Sequence, residues 1–347
     1  MRWLSPRNRW AQRYGSLVVL VPMLLLLAYP VWAWRLLRGP LSKALIVDKT
    51  VGPGDTREHD SLRWVLQHNK VQLSDYVGPH YQGDKLLATS SVLQSADLDQ
   101  VKWLFLADTY GIYRESSRDT RDLEKIVGGL DDAEIGLIEK FVASGGSLYG
   151  EFNCLAFPTR GAARQRLERL FGVQFSGWTG RYFPDLADPQ EVPGWMRLRF
   201  KRSSGPGYVL LHEDGRVVVL VEGQDVPPGA LQLQASDGQS APFAYWFDIV
   251  KADSVAAVTA DFRWRTSPSG WAKLTSAHIP LAFPAVVAGA HSLYCCGDFS
   301  DNPCPRGPYW LEGWPLYNAW SLGDSDQSSA RFFWTVYVPL VGDWLKF

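Results

Sequence analysis

Acidic side chains follow three apolar runs of this sequence, at the points where buried strands are expected to end. Asp48 follows the run ALIV, Asp108 follows VKWLFLA, and Glu151 follows SLYG. Two neighbouring carboxylates can act as general acid and general base on a glycosidic bond, provided that one is desolvated enough to hold its proton. We therefore consider Glu151, together with Asp108 or Asp48, as the candidate catalytic residues.

Further polar residues lie close to these carboxylates in the sequence. Tyr110 and Asn153 each come two residues after a carboxylate, and Arg57 and His59 lie on the loop after the first apolar run. If the strands are parallel, these side chains converge at one edge and can bind a ligand. The alternative is that they cap helices, form ion pairs and order loops.

The segment 175–186 (FSGWTGRYFPDL) combines aromatic residues, glycines and one arginine. It can form the wall of a cleft in which Trp178 or Tyr182 stacks on a sugar ring and Arg181 holds an acidic group. It can equally be a rigid turn whose tryptophan is buried. Both interpretations are left open by the sequence.

The cysteines and the late Asp-rich turn do not predict a metal site. Cys295 or Cys296 can close a short loop with Cys304 in an oxidising compartment, or all four cysteines can be free thiols. The spacing C-C-x7-C lacks the paired arrangement of zinc sites. The turn GDFSDNP at 297–303 has too few regularly spaced oxygen ligands for a calcium loop. We predict no metal and no cofactor.

Strand and helix patterns alternate in the first half of the chain. Strands are predicted at 44–47, 101–106 and 147–150, and helices begin at Asp60 and at Asp131 or Asp132. The second half is richer in strands: segments 208–211 and 217–221 flank Asp214-Gly215, a type I′ hairpin signal, and 254–262 reads as a further strand.

This order predicts an α/β fold with a mostly parallel sheet flanked by helices. We assign the α/β domain to residues 44–200. Residues 201–347 are assigned to an antiparallel β-rich extension that completes or caps it.

Residues 16–34 form an uncharged run of 19 residues, close to the ~20 needed for a transmembrane helix. Four basic residues precede the run and three follow it closely, which favours a cytoplasmic basic tail at 1–15 and an extracytoplasmic body. A cleaved signal peptide is the alternative, although the run is longer than an h-region and no small-x-small site follows. We predict a single-pass protein of the cell membrane.

Composition and the other apolar segments limit the alternatives. With 35 basic and 36 acidic residues, the chain has no field that attracts nucleic acid. The run 280–287 is too short for a second span. Pro339 and Asp343 interrupt the segment 332–345, which favours a packed or surface-lying end of the chain.

The stretch 138–153 (IEKFVASGGSLYGEFN) resembles the helix, double-glycine turn, strand and elbow of the class I glutamine amidotransferase-like superfamily, especially its trehalose-utilisation-type proteins. The resemblance covers about residues 44–185 and implies the same sheet. Amidotransferases place a nucleophilic cysteine at the elbow. Here Phe152 falls at that position and Cys154 comes two residues later, so the resemblance implies that glutaminase activity is absent.

Three functional hypotheses follow. The first is an anchored, non-catalytic amidotransferase-like domain that binds or guides an envelope carbohydrate or a partner membrane protein. The second is a glycan hydrolase that uses the strand-end carboxylates. The third is a structural subunit of a membrane assembly that docks through its aromatic C-terminal segment.

Overall fold

The computed structural model describes residues 6–36, 42–50, 59–74, 77–82, 85–87, 92–114, 124–192, 194–197, 200, 204–236, 238, 240–301 and 332–346. Two residues singled out above, Arg57 and Cys304, lie outside this part of the chain. The described helices are α1 Pro6–Leu36, α2 Asp60–His68, α3 Asp132–Ala143, α4 Gly161–Phe171, α5 Gly194–Arg197, α6 Pro268–Ser276 and α7 Val338–Trp344. A 3-10 turn at Ser95–Leu98 and a π-helical segment at Phe333–Tyr337 complete the helical elements.

The described strands fall into two larger sheets and two small hairpins. They are β1 Lys43–Asp48, β2 Gln72–Leu73, β3 His80–Gln82, β4 Lys85–Leu87, β5 Val101–Asp108, β6 Ile112–Arg114, β7 Glu124–Val127, β8 Ser147–Gly150, β9 Val173–Phe183, β10 Gly207–His212, β11 Val217–Val221, β12 Leu231–Ala235, β13 Ser240–Pro242, β14 Phe247–Ala252, β15 Ala257–Trp264, β16 Ala282–Ala288 and β17 Ser292–Cys295. The strands predicted at 44–47, 101–106 and 147–150 are confirmed.

The main sheet has nine strands in the order β13-β12-β15-β16-β17-β8-β5-β1-β2. Strands β17, β8, β5, β1 and β2 are parallel to one another, and the pairs from β17 outward to β13 are antiparallel. The α/β prediction is therefore confirmed in a coarser form. The sheet is mixed, and it is not mostly parallel, because β12, β13, β15 and β16 extend it on one side.

Helix α3 begins where the sequence predicts, because Asp131 caps its first turn. The Asp131 side chain accepts hydrogen bonds from the backbone N–H groups of Ala133 and Glu134, and the Glu134 carboxylate accepts one from the N–H of Asp131. This capping box satisfies amides that have no partner inside the helix. The helix ends before Gly145, whose φ of 93° suits glycine.

Two helical layers cover opposite faces of the main sheet at β8. On one side, Gly150 packs against the ring of Phe171 in α4, so closely that any side chain at this position would collide with the ring. On the other, Tyr149 and Glu151 point towards Tyr337 in the C-terminal helical segment. The alternation follows from the two-residue period of a strand. Thus Glu151 lies beneath the last helical segment of the chain.

The second sheet has four strands in the order β11-β10-β9-β14, and β14 packs against β16 of the main sheet. The predicted hairpin of β10 and β11 is confirmed, but its turn differs from the predicted type I′. The backbone N–H of His212 donates to the carbonyl of Arg216, which leaves a three-residue loop. Gly215 takes a φ of 94° at the end of that loop, as three-residue hairpins require.

Helix α1 is 31 residues long and presents apolar side chains to its surroundings; Val18 is 71% exposed and Leu26 is 70% exposed. Among the described residues, which include the side chains of 14–29 and 31–36 in this helix, no helix is both long and apolar enough to cross a membrane. The transmembrane helix at 16–34 therefore stays a prediction.

The C-terminal segment is packed into the body, as one of the two sequence interpretations expected. Phe333, Tyr337 and Val341 are fully buried. Trp64 of α2 contacts the rings of Phe333 and Trp334 at centroid distances of 5.4 and 5.3 Å. The segment therefore forms part of the hydrophobic core.

Candidate functional site

The carboxyl ends of β1, β5 and β8 meet at one edge of the sheet. Asp48 lies opposite Asp108 in the β1–β5 register, and the backbone N–H of Lys49 donates to the Asp108 carbonyl at 2.8 Å. The Asn153 amide nitrogen donates to Asp108 Oδ1 at 3.4 Å. The structure thus brings Asp48, Asp108 and Asn153 together, because parallel strands end at the same edge.

Asp48 and His59 form a buried pair. Asp48 Oδ2 lies 2.6 Å from His59 Nδ1, and Asp48 Oδ1 accepts a hydrogen bond from the backbone N–H of Thr50 at 2.9 Å. Asp48 and His59 are 0% and 1% exposed. Both carboxylate oxygens of Asp48 therefore have partners, and the contact joins β1 to the residue before α2.

Lys49 and Glu134 form a second buried pair. Lys49 Nζ donates to both Glu134 carboxylate oxygens at 2.7 and 2.8 Å and to the Gly129 carbonyl at 2.8 Å. Burial lowers the pKa of Lys49, and the Glu134 carboxylate opposes that shift. The pair borders a cavity of about 240 Å³, whose other walls include Lys125, Gly128, Leu130 and Pro158. All three ammonium hydrogens have acceptors, so the contact is a structural link between β1 and α3.

Glu151 is fully buried and has partners at both carboxylate oxygens. Oε1 accepts from the Tyr149 and Tyr337 hydroxyls at 2.6 and 3.3 Å. Oε2 accepts from the backbone N–H groups of Phe299 and Ser300 and from the Ser300 hydroxyl, at 2.8 to 2.9 Å. Burial raises the pKa of Glu151, while these hydrogen bonds act in the opposite direction. The carboxylate holds three parts of the chain together.

Asp248 is a buried acid that the sequence prediction missed. Its Oδ2 accepts from the Tyr294 hydroxyl at 2.8 Å and from the backbone N–H of Asn153 at 3.2 Å, whereas no donor of a described residue reaches Oδ1. Burial raises the pKa of Asp248 to about 7, although the Tyr294 bond opposes the shift. The available signal was an acid inside the apolar strand FDIV.

In the turn after β8, the residue with a left-handed backbone is not Phe152, which the resemblance places at the elbow position. Asn153 takes a φ of 72°, the left-handed conformation that asparagine tolerates. Phe152, expected at the elbow position, is instead buried against Trp246, with a centroid distance of 5.7 Å. The strained residue of this turn is therefore Asn153, and its side chain reaches Asp108.

Trp178 and Arg181 do not line one wall. Both lie in β9, where residues three apart point to opposite faces. Trp178 is 4% exposed and contacts His212 and the Arg216 guanidinium. Arg181 lies over the Trp246 ring and forms an ion pair with Glu191. Trp178 is therefore buried within a strand, and it does not lie in a turn.

The described cysteines are buried free thiols: Cys154, Cys295 and Cys296. Burial raises the pKa of the Cys154 thiol well above its usual value, which does not favour a thiolate nucleophile. In the part of the chain that the structure describes, no three His, Cys, Asp or Glu side chains group as metal ligands.

Among the predicted site residues that the structure describes at this edge, Tyr110 is the one that is not buried. Its ring is half-buried and lies 4.8 Å from the ring of Tyr113, which is also half-buried. The backbone N–H of Tyr110 donates to Asp108 Oδ1 at 2.6 Å. Burial and the Asp108 charge raise the pKa of Tyr110. The two half-buried rings therefore offer aromatic surface beside the buried Asp108 carboxylate.

No protein-family model and no curated protein matches this chain. Among solved structures, it is similar to a ThuA-like protein from Bacteroides uniformis, with 12% identity over 85% of this chain and 97% of that chain and a TM-score of 0.38. It is also similar to a glutamine amidotransferase from Thermotoga maritima, with 8% identity over 88% of this chain and 99% of that chain and a TM-score of 0.40.

A second ThuA-like protein, from Parabacteroides merdae, shows 12% identity over 74% of this chain and 78% of that chain, with a TM-score of 0.35. Similarity at this level does not establish a family or a function.

Proposed function

We propose that this chain is a membrane-anchored, extracytoplasmic module of the amidotransferase-like type that binds an envelope carbohydrate or a partner membrane protein and does not hydrolyse glutamine. The proposal that the chain is not a hydrolase is supported most directly by the burial and the hydrogen bonds of Glu151. Its five hydrogen bonds and complete burial suit a structural carboxylate. A general acid or base would have to exchange protons with a substrate.

The edge of the sheet supports binding better than hydrolysis. Asp48 and Glu151 are 0% exposed and Asp108 is 8% exposed, so the second candidate, a glycan hydrolase, lacks an accessible pair of carboxylates among the described residues. Tyr110 and Tyr113 offer aromatic surface beside Asp108. Half-buried aromatic rings at the edge of a sheet suit a sugar, which has apolar faces that can stack on them.

Anchoring is supported by the uncharged run at 16–34 and by the exposed apolar side chains of α1. A structural subunit remains a third candidate function, but the C-terminal aromatic segment that would dock it is used in the core. The proposal of ligand binding is therefore preferred to that of a structural subunit.

Carbohydrate binding is tested with the full chain in nanodiscs and a panel of purified envelope oligosaccharides, measured by calorimetry. We expect Tyr110→Ala and Tyr113→Ala each to weaken binding about tenfold. Trp271→Ala, which removes a 51% exposed ring on α6, serves as the control. Unchanged binding in both tyrosine variants would exclude this edge as the site.

Glutaminase activity is tested by release of ammonia from glutamine. We expect no release above that of a Cys154→Ala variant, since Cys154 is buried. Release that depends on Cys154 would overturn the proposal. Retention of the chain in membranes after an alkaline carbonate wash tests the anchor separately.

A further inference from the structure

The end of α1 lies against the amino-end edge of the parallel strands. Trp34 Nε1 donates to the His68 carbonyl at the end of α2, at 2.7 Å. Lys70 Nζ donates to the Arg35 carbonyl at 3.2 Å and lies 4.5 Å from the Trp34 ring centroid. Because α2 runs antiparallel to β1, its last turn lies beside the start of that strand. The edge opposite the candidate site therefore adjoins the end of α1.

Basic residues lie at the starts of strands and at the ends of helices along this edge. Lys43 is the first residue of β1, Lys102 is the second residue of β5, and Lys70 follows α2. Lys140 lies in the last turn of α3, which leads into β8. Among the described residues, Asp97 and Asp99 come just before β5 and Asp253 lies at the end of β14, so acidic side chains also occur at this edge.

An apolar loop extends the edge on its other side. Strand β14 starts near the elbow at Asp248 and runs towards the amino-end edge, where the backbone N–H of Asp253 donates to the Gly172 carbonyl at the end of α4. Val255 and Val258 follow and are 93% and 40% exposed. An exposed valine on a loop at the same edge as the lysines, four strands away from β5, suits the boundary between headgroups and acyl chains.

We propose that this amino-end edge docks on anionic phospholipid headgroups, with Lys43, Lys70 and Lys102 facing phosphate groups and Val255 entering the interface. The inference rests on the proposed anchoring by α1. Lysines at a membrane surface attract anionic lipids over about a Debye length. Docking fixes the orientation of the body, so that the carboxyl ends of β1, β5 and β8 face away from the bilayer.

The test uses the full chain in nanodiscs of phosphatidylcholine alone or with about one third phosphatidylglycerol. Amine labelling with mass spectrometry reports on each lysine. We expect labelling of Lys70 and Lys102 to fall about fivefold in the anionic discs and to recover in about 0.5 M salt, where the Debye length is only a few Å. Lys125, an exposed lysine at the opposite edge, is the control.

Equal labelling of Lys70 and Lys102 in the two kinds of disc would overturn the docking inference and leave the anchor intact. Failure of the chain to enter either disc would overturn the anchor, and the docking inference with it. Hydrogen exchange at 253–258 provides a second measurement. We expect protection in anionic discs that Lys102→Glu reduces and Lys125→Glu does not; protection unaffected by Lys102→Glu contradicts a role for that lysine.

Discussion

Glu151 shows how a residue can be placed correctly from sequence and still have an unexpected environment. Its position after β8 follows from the strand pattern SLYG. Its partners Ser300 and Tyr337 lie 149 and 186 positions further along the chain. No local pattern predicts contacts over such separations. The strand-end positions were therefore predictable, and the burial that determines their chemistry was not.

Replacement of Glu151 by leucine is expected to destabilise the fold by about 3–5 kcal/mol, because five buried donors lose their acceptor. Glu151→Gln keeps one acceptor oxygen and should cost less. Chemical unfolding of detergent-solubilised protein, followed by tryptophan fluorescence, measures both. Glu191→Gln, at a partly exposed ion pair with Arg181, is the control. Wild-type stability in the leucine variant would show that the hydrogen bonds contribute little.

Asp248 predicts a pH dependence of stability. Its pKa rises from 3.8 to about 7 on folding, so the folded state binds a proton more tightly than the unfolded state between those values. Stability from this group is therefore greatest below about pH 4 and falls as pH rises to about 7, by up to about 4 kcal/mol. Glu151, whose pKa is also raised, acts in the same direction.

Asp248→Asn should flatten the decline in unfolding free energy between about pH 4 and pH 7. Unfolding curves at a series of pH values measure this slope. Asp343→Asn changes an exposed carboxyl in α7 and should leave the slope as it is. An unchanged slope in Asp248→Asn would mean that the carboxyl ionises in the folded state at its ordinary pKa.

At the scale of elements, the structure confirms those with strong local signals. Helix α3 combines a 3.6-residue period, the Asp131 cap and a glycine stop. Strand β9 was not predicted, because a glycine within the segment suggests a turn. In the structure the strand continues through Gly177, which takes a φ of 87°. Sheet order was also beyond the sequence, since β17 joins β8 after 141 intervening residues.

The link between β1 and α3 is expected to be strongly coupled. Lys49→Met leaves the Glu134 carboxylate buried without its cation and should cost about 3–5 kcal/mol. Lys49→Met combined with Glu134→Leu should cost less than the sum of the two single changes, because no unpaired charge remains. Unfolding free energies of the four proteins measure the coupling. The exposed pair Lys346 and Asp343 provides the comparison cycle, where little coupling is expected. Additive effects at Lys49 and Glu134 would contradict the link.

At the scale of the whole molecule, early and late parts of the chain share one core. Trp64 packs on Phe333 and Trp334, and Tyr337 contributes a hydrogen bond to Glu151. β17 separates β16 from β8 within one sheet. Strands from both halves of the sequence therefore belong to the same sheet.

Deletion of residues 332–347 is expected to prevent stable folding, since it removes the fully buried Phe333, Tyr337 and Val341 and uncovers Trp64. Accumulation of the protein and its resistance to protease are the measurements. The paired changes Asp343→Ala and Lys346→Ala, at exposed positions of the same segment, should be tolerated. A protease-resistant deletion variant would show that the core closes without this segment.

The placement of Tyr337 under the sheet also affects the timing of synthesis. Glu151 leaves the ribosome 186 residues before its last partner, an interval of about 10 to 40 s at ordinary elongation rates of roughly 5–20 residues per second. Until residue 337 is synthesised, the Glu151 carboxylate lacks its Tyr337 hydrogen bond, and Trp64 lacks its contacts with Phe333 and Trp334.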